Sequence, residues 1–184
     1  VIWDSGSNRL ILSRLGDETI RISGRNTGNS VVLQIETVAK FFAAAGWVHV
    51  LASWDMGTAG SSRLYINNAS DLDEVTFTDA EIDYTRTEHA VGATASGASL
   101  LNGALQELYI NYAEYMDFDT AANRAKFISD GKPVNLGSDG STPTGTAPIA
   151  YLKNPFGTFE ENLGTGGNFS VTGALTDEGT SPSD

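Results

Sequence analysis

Glu81-Ile82-Asp83 sets two carboxylates one residue apart. On a strand, alternation puts the first and third residues on one face. A retaining glycosidase needs such a pair, with its carboxyls about 5–5.5 Å apart, one as nucleophile and one as acid/base. His49 and His89 are the only two imidazoles. No Gly-x-Ser-x-Gly elbow offers either of them a serine nucleophile, so the pattern holds no triad. Cysteine is absent, which excludes disulfides, thiolate metal sites and cysteine nucleophiles.

The balance of charge narrows the partners. With 11 Lys+Arg against 23 Asp+Glu in 184 residues, the net charge is −12. Phosphate binding needs clustered cations that release counterions, so nucleic acid is excluded as a partner, and an anionic membrane surface with it. No apolar run approaches the length needed for membrane insertion. A strong negative charge keeps a chain soluble and suits Ca²⁺, which takes oxygen ligands.

Short strands with turns between them would have to position these groups. Ile2-Trp3, Arg9 to Leu12, Thr19 to Ile22 and Val31 to Ile35 are separated by Asp/Ser/Gly/Asn clusters, the rhythm of a sandwich or barrel. Trp47 to Trp54 reads as an apolar strand, Asp55 to Ser62 as a Gly-rich turn, and Arg63 to Asn67 as the returning strand. Glu74 to Thr78 also alternates. Lys40 to Ala45 suits a turn of helix. Phe118, Ala122, Ala125 and Ile128 fall near helical spacing, predicting a helix over 119–129 capped by Asp119 or Thr120 and stopped by Gly131.

The run W-x-H-V, turn, L-Y-I-N at residues 47–67 resembles the laminin-G-like and pentraxin-like branch of the concanavalin A-type jelly rolls. Val91-Gly92-Ala93 followed by Leu101-Asn102-Gly103-Ala104-Leu105-Gln106-Glu107-Leu108-Tyr109-Ile110 is similar to that family's closing strands. The resemblance implies an all-β jelly roll of two packed antiparallel sheets, with one short helix near 119–129 and a loop-rich C-terminal arm. It divides the chain into a sandwich at 1–130, lacking an earlier strand that the family carries upstream, and an arm at 131–184. Trp47, Val48, Val50, Ala52, Leu64, Ile66, Leu108 and Ile110 are expected between the sheets, with Trp54 on the same buried face and Tyr65 outward.

The resemblance also sorts the candidate sites. Jelly-roll glucanases of the superfamily close their E-I-D strand with a further acid, which belongs at 85 or 86; this chain has Thr85 and Arg86. Glu81 and Asp83 are therefore expected on a solvated strand edge, and the chain is expected not to be an enzyme. His49 falls where the family keeps a structural histidine or polar residue. Relatives hold calcium at the sandwich rim with Asp carboxylates from loops, so Asp55, Asp71, Asp73 and Asp117 are the metal candidates and calcium the one cofactor considered. Sugar binding calls for an exposed aromatic face beside Asn or Asp. Of the aromatic residues Trp3, Trp54, Tyr65, Tyr84, Tyr109 and Tyr112, the glycan-binding candidates are Tyr65 and Tyr109, with Asn67.

Beyond Lys132 the composition turns to Gly, Ser, Thr, Pro and Asn, and no Lys or Arg follows Lys153. This stretch is similar to the C-terminal extension of laminin-G-like domains in tailed-phage structural proteins. It implies a phage virion protein in a tail, fibre or capsid-surface position, on the outside of the particle. Its partners would be other virion proteins, its own copies or a host-surface polysaccharide. The alternative is a purely structural decoration or assembly protein, and a jelly-roll glycoside hydrolase stands third. Few apolar anchors sit in the arm to offset its ordering entropy, so Ile149, Tyr151, Leu152, Phe156, Phe159, Phe169 and Val171 are expected to dock it on the sandwich or on a neighbour.

Overall fold

A computed structural model describes residues 1–6, 9–41, 46–180 and 182. The helical turn expected at Lys40–Ala45 falls mostly on 42–45, outside the described residues. The chain is an all-β jelly-roll sandwich with little helix, and it divides into two compact units, Val1–Gly103 and Ala104–Asp184.

The first unit is built on a six-stranded antiparallel sheet. Its strands are β1 (Trp3–Asp4), β2 (Leu10–Arg14), β3 (Ile20–Arg25), β4 (Val31–Glu36), β8 (Asp73–Phe77) and β9 (Ala90–Val91), in the order β8-β4-β3-β2-β1-β9. The register explains the sheet. Trp3 pairs with Leu12 and Val91, Leu12 with Ile22, Ile22 with Ile35, and Leu33 with Phe77. Directly opposed residues share a face, so these side chains form one apolar face, with Trp3, Ile22, Leu33 and Ile35 buried. The other face is polar: Arg21 lies across from Glu36, its Nε 2.8 Å from Oε1, and Gln34 Nε2 donates to the same oxygen at 2.9 Å. A bulge between Gln34 and Ile35 leaves Val75 opposite no partner and 52% exposed.

A second, three-stranded sheet is made of β5 (Val50–Ser53), β6 (Arg63–Ile66) and β7 (Ala69–Ser70). The expected antiparallel hairpin is present, with Val50 opposite Ile66 and Ser53 opposite Arg63. Asn67 and Asn68 join β6 to β7 with φ of 49° and 68°, the two left-handed residues of a tight hairpin turn. Burial differs from expectation. Leu64 and Ile66 are buried, but Trp47, Val48, Val50, Ala52 and Trp54 are half-buried, while Leu51, Ser53 and Tyr65 are buried on the opposite face. Both faces of this sheet are covered, so alternation did not separate inside from outside.

In the second unit β10 (Leu108–Ile110) pairs with β13 (Ala150–Leu152), Tyr109 opposite Tyr151. This long-range pair gathers residues from both sides of position 130 within the compact unit Ala104–Asp184. Tyr109, Phe118, Phe127 and Tyr151 meet edge to face, with centroids 5.3–6.4 Å apart. The expected helix shrinks to one turn, α1 (Ala121–Arg124), with no side-chain bond at its Thr120 cap. Beyond it Phe127 and Ile128 are buried, and Ile128–Ser129 (β11) pairs with Lys132–Pro133 (β12). Asp130 and Gly131, with φ of 51° and 77°, are the two-residue turn between them. Gly131 thus turns a hairpin and does not stop a helix. Ile110 is half-buried where burial was expected.

The Gly-rich run after β13 lies flush on that strand. Leu163 N donates to Tyr151 O, and Thr165 N and Gly166 N donate to Pro148 O and Ile149 O. A Cβ on Gly164 would sit 2.5 Å from Pro148 O, and one on Gly166 2.6 Å from Ile149 O. Asn162 fastens the loop, accepting from Tyr151 N at 2.8 Å and donating to Ile149 O at 2.9 Å. Of the expected anchors Tyr151 and Leu152 are buried, Ile149, Phe159 and Phe169 half-buried, and Phe156 and Val171 exposed; 168–172 is not a strand. Leu64 lies wholly buried in the second sheet. Leu64→Ala is expected to cost about 2–5 kcal/mol in urea or guanidinium unfolding.

Candidate functional site

Ile82 positions the carboxylate segment. It packs on Gly24 of β3, where an added Cβ would come within 2.4 Å of its Cδ1. Asp83 N donates to Arg25 O at 2.8 Å. The segment 81–83 is not a strand, so Glu81 and Asp83 do not share a face: Glu81 is exposed and Asp83 buried. This corrects the expected solvated edge for Asp83, whose side chain is 2% exposed.

Asp83 keeps its charge through its neighbours. The Thr85 hydroxyl and backbone N–H donate to its Oδ1 at 2.6 and 3.1 Å. Arg86 Nε and Arg9 Nε stand 3.3 and 3.4 Å from its Oδ2. The Thr85 bonds hold the carboxyl below the usual carboxylate range, with Arg86 and Arg9 adding to them against the opposing effect of burial. Arg9 is itself buried, and its Nη1 donates to Asn26 O at 2.7 Å and Asn29 Oδ1 at 3.2 Å. A carboxyl held ionised in this way is poorly suited to donate a proton.

Beside the network lies an open cleft of about 250 Å³ lined by Gly6, Thr85, Arg86, Thr87 and Glu88. Its lining is hydroxyl, guanidinium and carboxylate, a surface suited to a polar ligand. Sequence reasoning passed over Arg9, Thr85 and Arg86 as site residues. Thr85 and Arg86 were noted only as the break in an acidic motif, although an Asp followed two residues later by Thr is itself the signal of a local hydrogen-bonded turn.

The histidines are packing groups. His89 stacks on Trp3 with centroids 5.1 Å apart; burial lowers its pKa, opposed by the Asp4 carboxylate. His49 is likewise lowered by burial, and its backbone N–H donates to Asn67 Oδ1 at 2.9 Å.

The structure does not bring the four Asp candidates together. Asp71 Oδ1 accepts from Val38 N and Ala39 N at 2.9 and 3.1 Å. Asp55 accepts from Gly57 N and the Thr58 hydroxyl, shaping its own turn. Asp117 accepts from Asp119 N at 3.1 Å, and Asp73 is exposed on β8. Among the described residues no three of His, Asp and Glu gather as metal ligands.

The aromatic candidates are mostly inside. Tyr65 is 8% exposed, not outward, Trp3 is buried, and Trp54 donates from Nε1 to the Tyr84 hydroxyl at 2.8 Å. Asn67 is exposed, but its side-chain oxygen accepts from His49 N and its backbone N–H donates to His49 O, both at 2.9 Å. Tyr109 is half-buried against Phe127 and Tyr151 in the second unit, whereas Tyr65 and Asn67 belong to the first.

Over residues 1–114 the chain matches the laminin G family described as the concanavalin A-like lectin/glucanases superfamily. That span is more than half of its 184 residues, and the protein belongs to this family, whose members are generally non-catalytic. Comparison with the curated proteins and with the solved structures gives no match. Among the described residues no helix is long and apolar enough to cross a membrane.

The ionisations set a pH dependence. A depressed carboxyl contributes stability that is complete above its unfolded value, 3.8 for Asp83, and is lost as pH falls through the lower folded value. The two histidines, lowered from 6.5, already withdraw stability as pH drops below that value, because the unfolded chain takes up the protons first. Asp83→Asn is expected to lower the denaturation midpoint at pH 7. Its deficit relative to wild type should shrink below pH 3.8, read from denaturant titrations at both pH values.

Proposed function

We propose that the protein is a non-catalytic laminin-G-like module of a tailed-phage virion, exposed on the particle, whose surface engages neighbouring subunits. Those subunits are other virion proteins or copies of itself. The phage setting rests on the similarity of residues 131–184 to extensions of phage structural proteins. The assembly role is supported by one observation above the rest: among the described residues beyond Ser170 there is no strand, yet Val171 and Leu175 are each 45% exposed. Apolar side chains on an extended segment gain most when a neighbour covers them. Phe156, exposed in the short 3-10 turn Phe156–Thr158, adds to the same surface chemistry.

A truncation separates this role from folding only if it spares β13. Removing residues 147–184 would take away Tyr151 and Leu152, both buried, so the informative cut follows Ser170. The chain ending there is expected to keep its melting temperature and to lose self-association or incorporation into particles. Normal assembly of that truncated protein would sink the proposal.

A host-surface glycan is the second reading, favoured by the polar cleft at Gly6 and 85–88. Hydroxyl-rich ligands suit such a lining better than the buried Tyr65 does. Arg86→Ala should then weaken retention on immobilised polysaccharide while the Ser170 truncation leaves it unchanged. Hydrolysis is not expected: Glu81 and Asp83 lack a common face and Asp83 is ion-paired. Reducing-end assays on β-glucans should read background, with no difference on Glu81→Gln.

A further inference from the structure

In the second unit a lysine meets an asparagine beside the β10–β13 ladder, with a glutamate at the same end of it. Lys153 follows the last residue of β13 and Glu107 precedes the first of β10; Leu108 pairs with Leu152, so the two flank the same end of the ladder. Lys153 Nζ donates to Gly137 O at 2.8 Å and to Asn135 Oδ1 at 3.4 Å, and stands 5.4 Å from the centre of the Tyr151 ring. The same Asn135 oxygen accepts from Gly137 N at 3.1 Å. Two donors thus polarise the Asn135 amide, and the amine is held against the oxygen of the carbonyl it would attack. Glu107 is half-buried, with a left-handed φ of 55°.

We propose that Lys153 and Asn135 join through a spontaneous intramolecular isopeptide bond, with Glu107 carrying the proton. The Glu107 carboxylate takes a proton from the Lys153 ammonium, and the free amine attacks Cγ of Asn135. The Nζ–Cγ bond forms, the Cγ–Nδ2 bond breaks, and a proton from the attacking nitrogen passes to the departing one. Ammonia leaves and takes up the proton held by Glu107, which returns to carboxylate. Nothing is oxidised or reduced and no cofactor is needed. Burial raises the Glu107 pKa, with Lys153 opposing the rise, which makes the carboxylate a better base than an ordinary glutamate. Held reactants replace a bimolecular encounter, and Asn135 is exposed, which gives ammonia a way out.

Intact mass spectrometry of the full chain provides the test. The expected mass is lower than the sequence mass by about 17 Da, the loss of one ammonia. Chymotrypsin, which can cut at Leu136 and Tyr151, should yield a branched peptide joining the segments around 135 and 153, and trypsin should fail to cleave after Lys153. Lys153→Arg and Asn135→Ala should restore the full mass. Glu107→Gln should restore it while a thermal melt still shows a folded protein. Asn102-Gly103, exposed and irregular, can lose one ammonia by closing a succinimide on the same chain segment, so peptide mapping decides between the two. A full mass in the folded wild type, or a loss that maps to Asn102, overturns the proposal.

Discussion

Asp83 has to stay charged where water barely reaches it, and the arrangement of the first unit around residues 81–88 follows from that requirement. An isolated carboxylate in such a place would take up a proton or unfold its surroundings. Here Thr85, Arg86 and Arg9 answer it, and Arg9 in turn is held by the backbone of the turn after β3. Because Ile82 is seated on Gly24, the segment cannot slide to relieve the pairing. The network therefore ties three stretches of chain that are far apart in sequence. Buried ion pairs are weak contributors to net stability but severe on any change that removes one partner. That makes this one a fastening of register more than a source of strength.

The same carboxylate explains why the chain departs from the glucanase pattern that its sequence resembles. A glycosidase acid must exchange protons or attack, and both need lone pairs left open to the substrate. Asp83 has its oxygens occupied by a hydroxyl, an amide and two guanidinium groups. Thr85 and Arg86, standing where the glucanase pattern has an acid, are themselves the partners that hold Asp83 ionised.

Much of the fold could be read in the sequence because its sheet is one-sided. On β3 Ile20 and Ile22 recur at every second position and the register sets Ile22 between Leu12 and Ile35, which marks the inner face; β2 and β4 carry consecutive apolar residues at 10–12 and 31–33 and were located by the turn clusters between them. The hairpin at 50–66 was legible from its Gly-rich turn. The three-stranded sheet defeated the same logic, since Leu51 and Tyr65 on one face and Leu64 and Ile66 on the other are all buried. Spacing near 3.6 between Phe118 and Ile128 signalled a helix, but Phe127 and Ile128 are held by long-range packing and a hairpin, which local pattern does not report. The candidate site was less legible for a related reason. Carboxylates in loops look alike in sequence, and only geometry shows that Asp71 and Asp55 are each spent on nearby donors.

The outer strand of the large sheet bears on how big that sheet can become. β8 stands at the end of the strand order, with Asp73 and Glu74 exposed and Val75 pushed out by the bulge. An incoming strand would meet a bent ladder whose hydrogen-bonding groups are out of step, next to two like charges. Growth stops at six strands on this side, and residues that help define the strand are the ones that end the sheet. For a chain crowded among copies of itself, that edge is a boundary written into the fold: contacts between molecules are left to surfaces other than the open ladder.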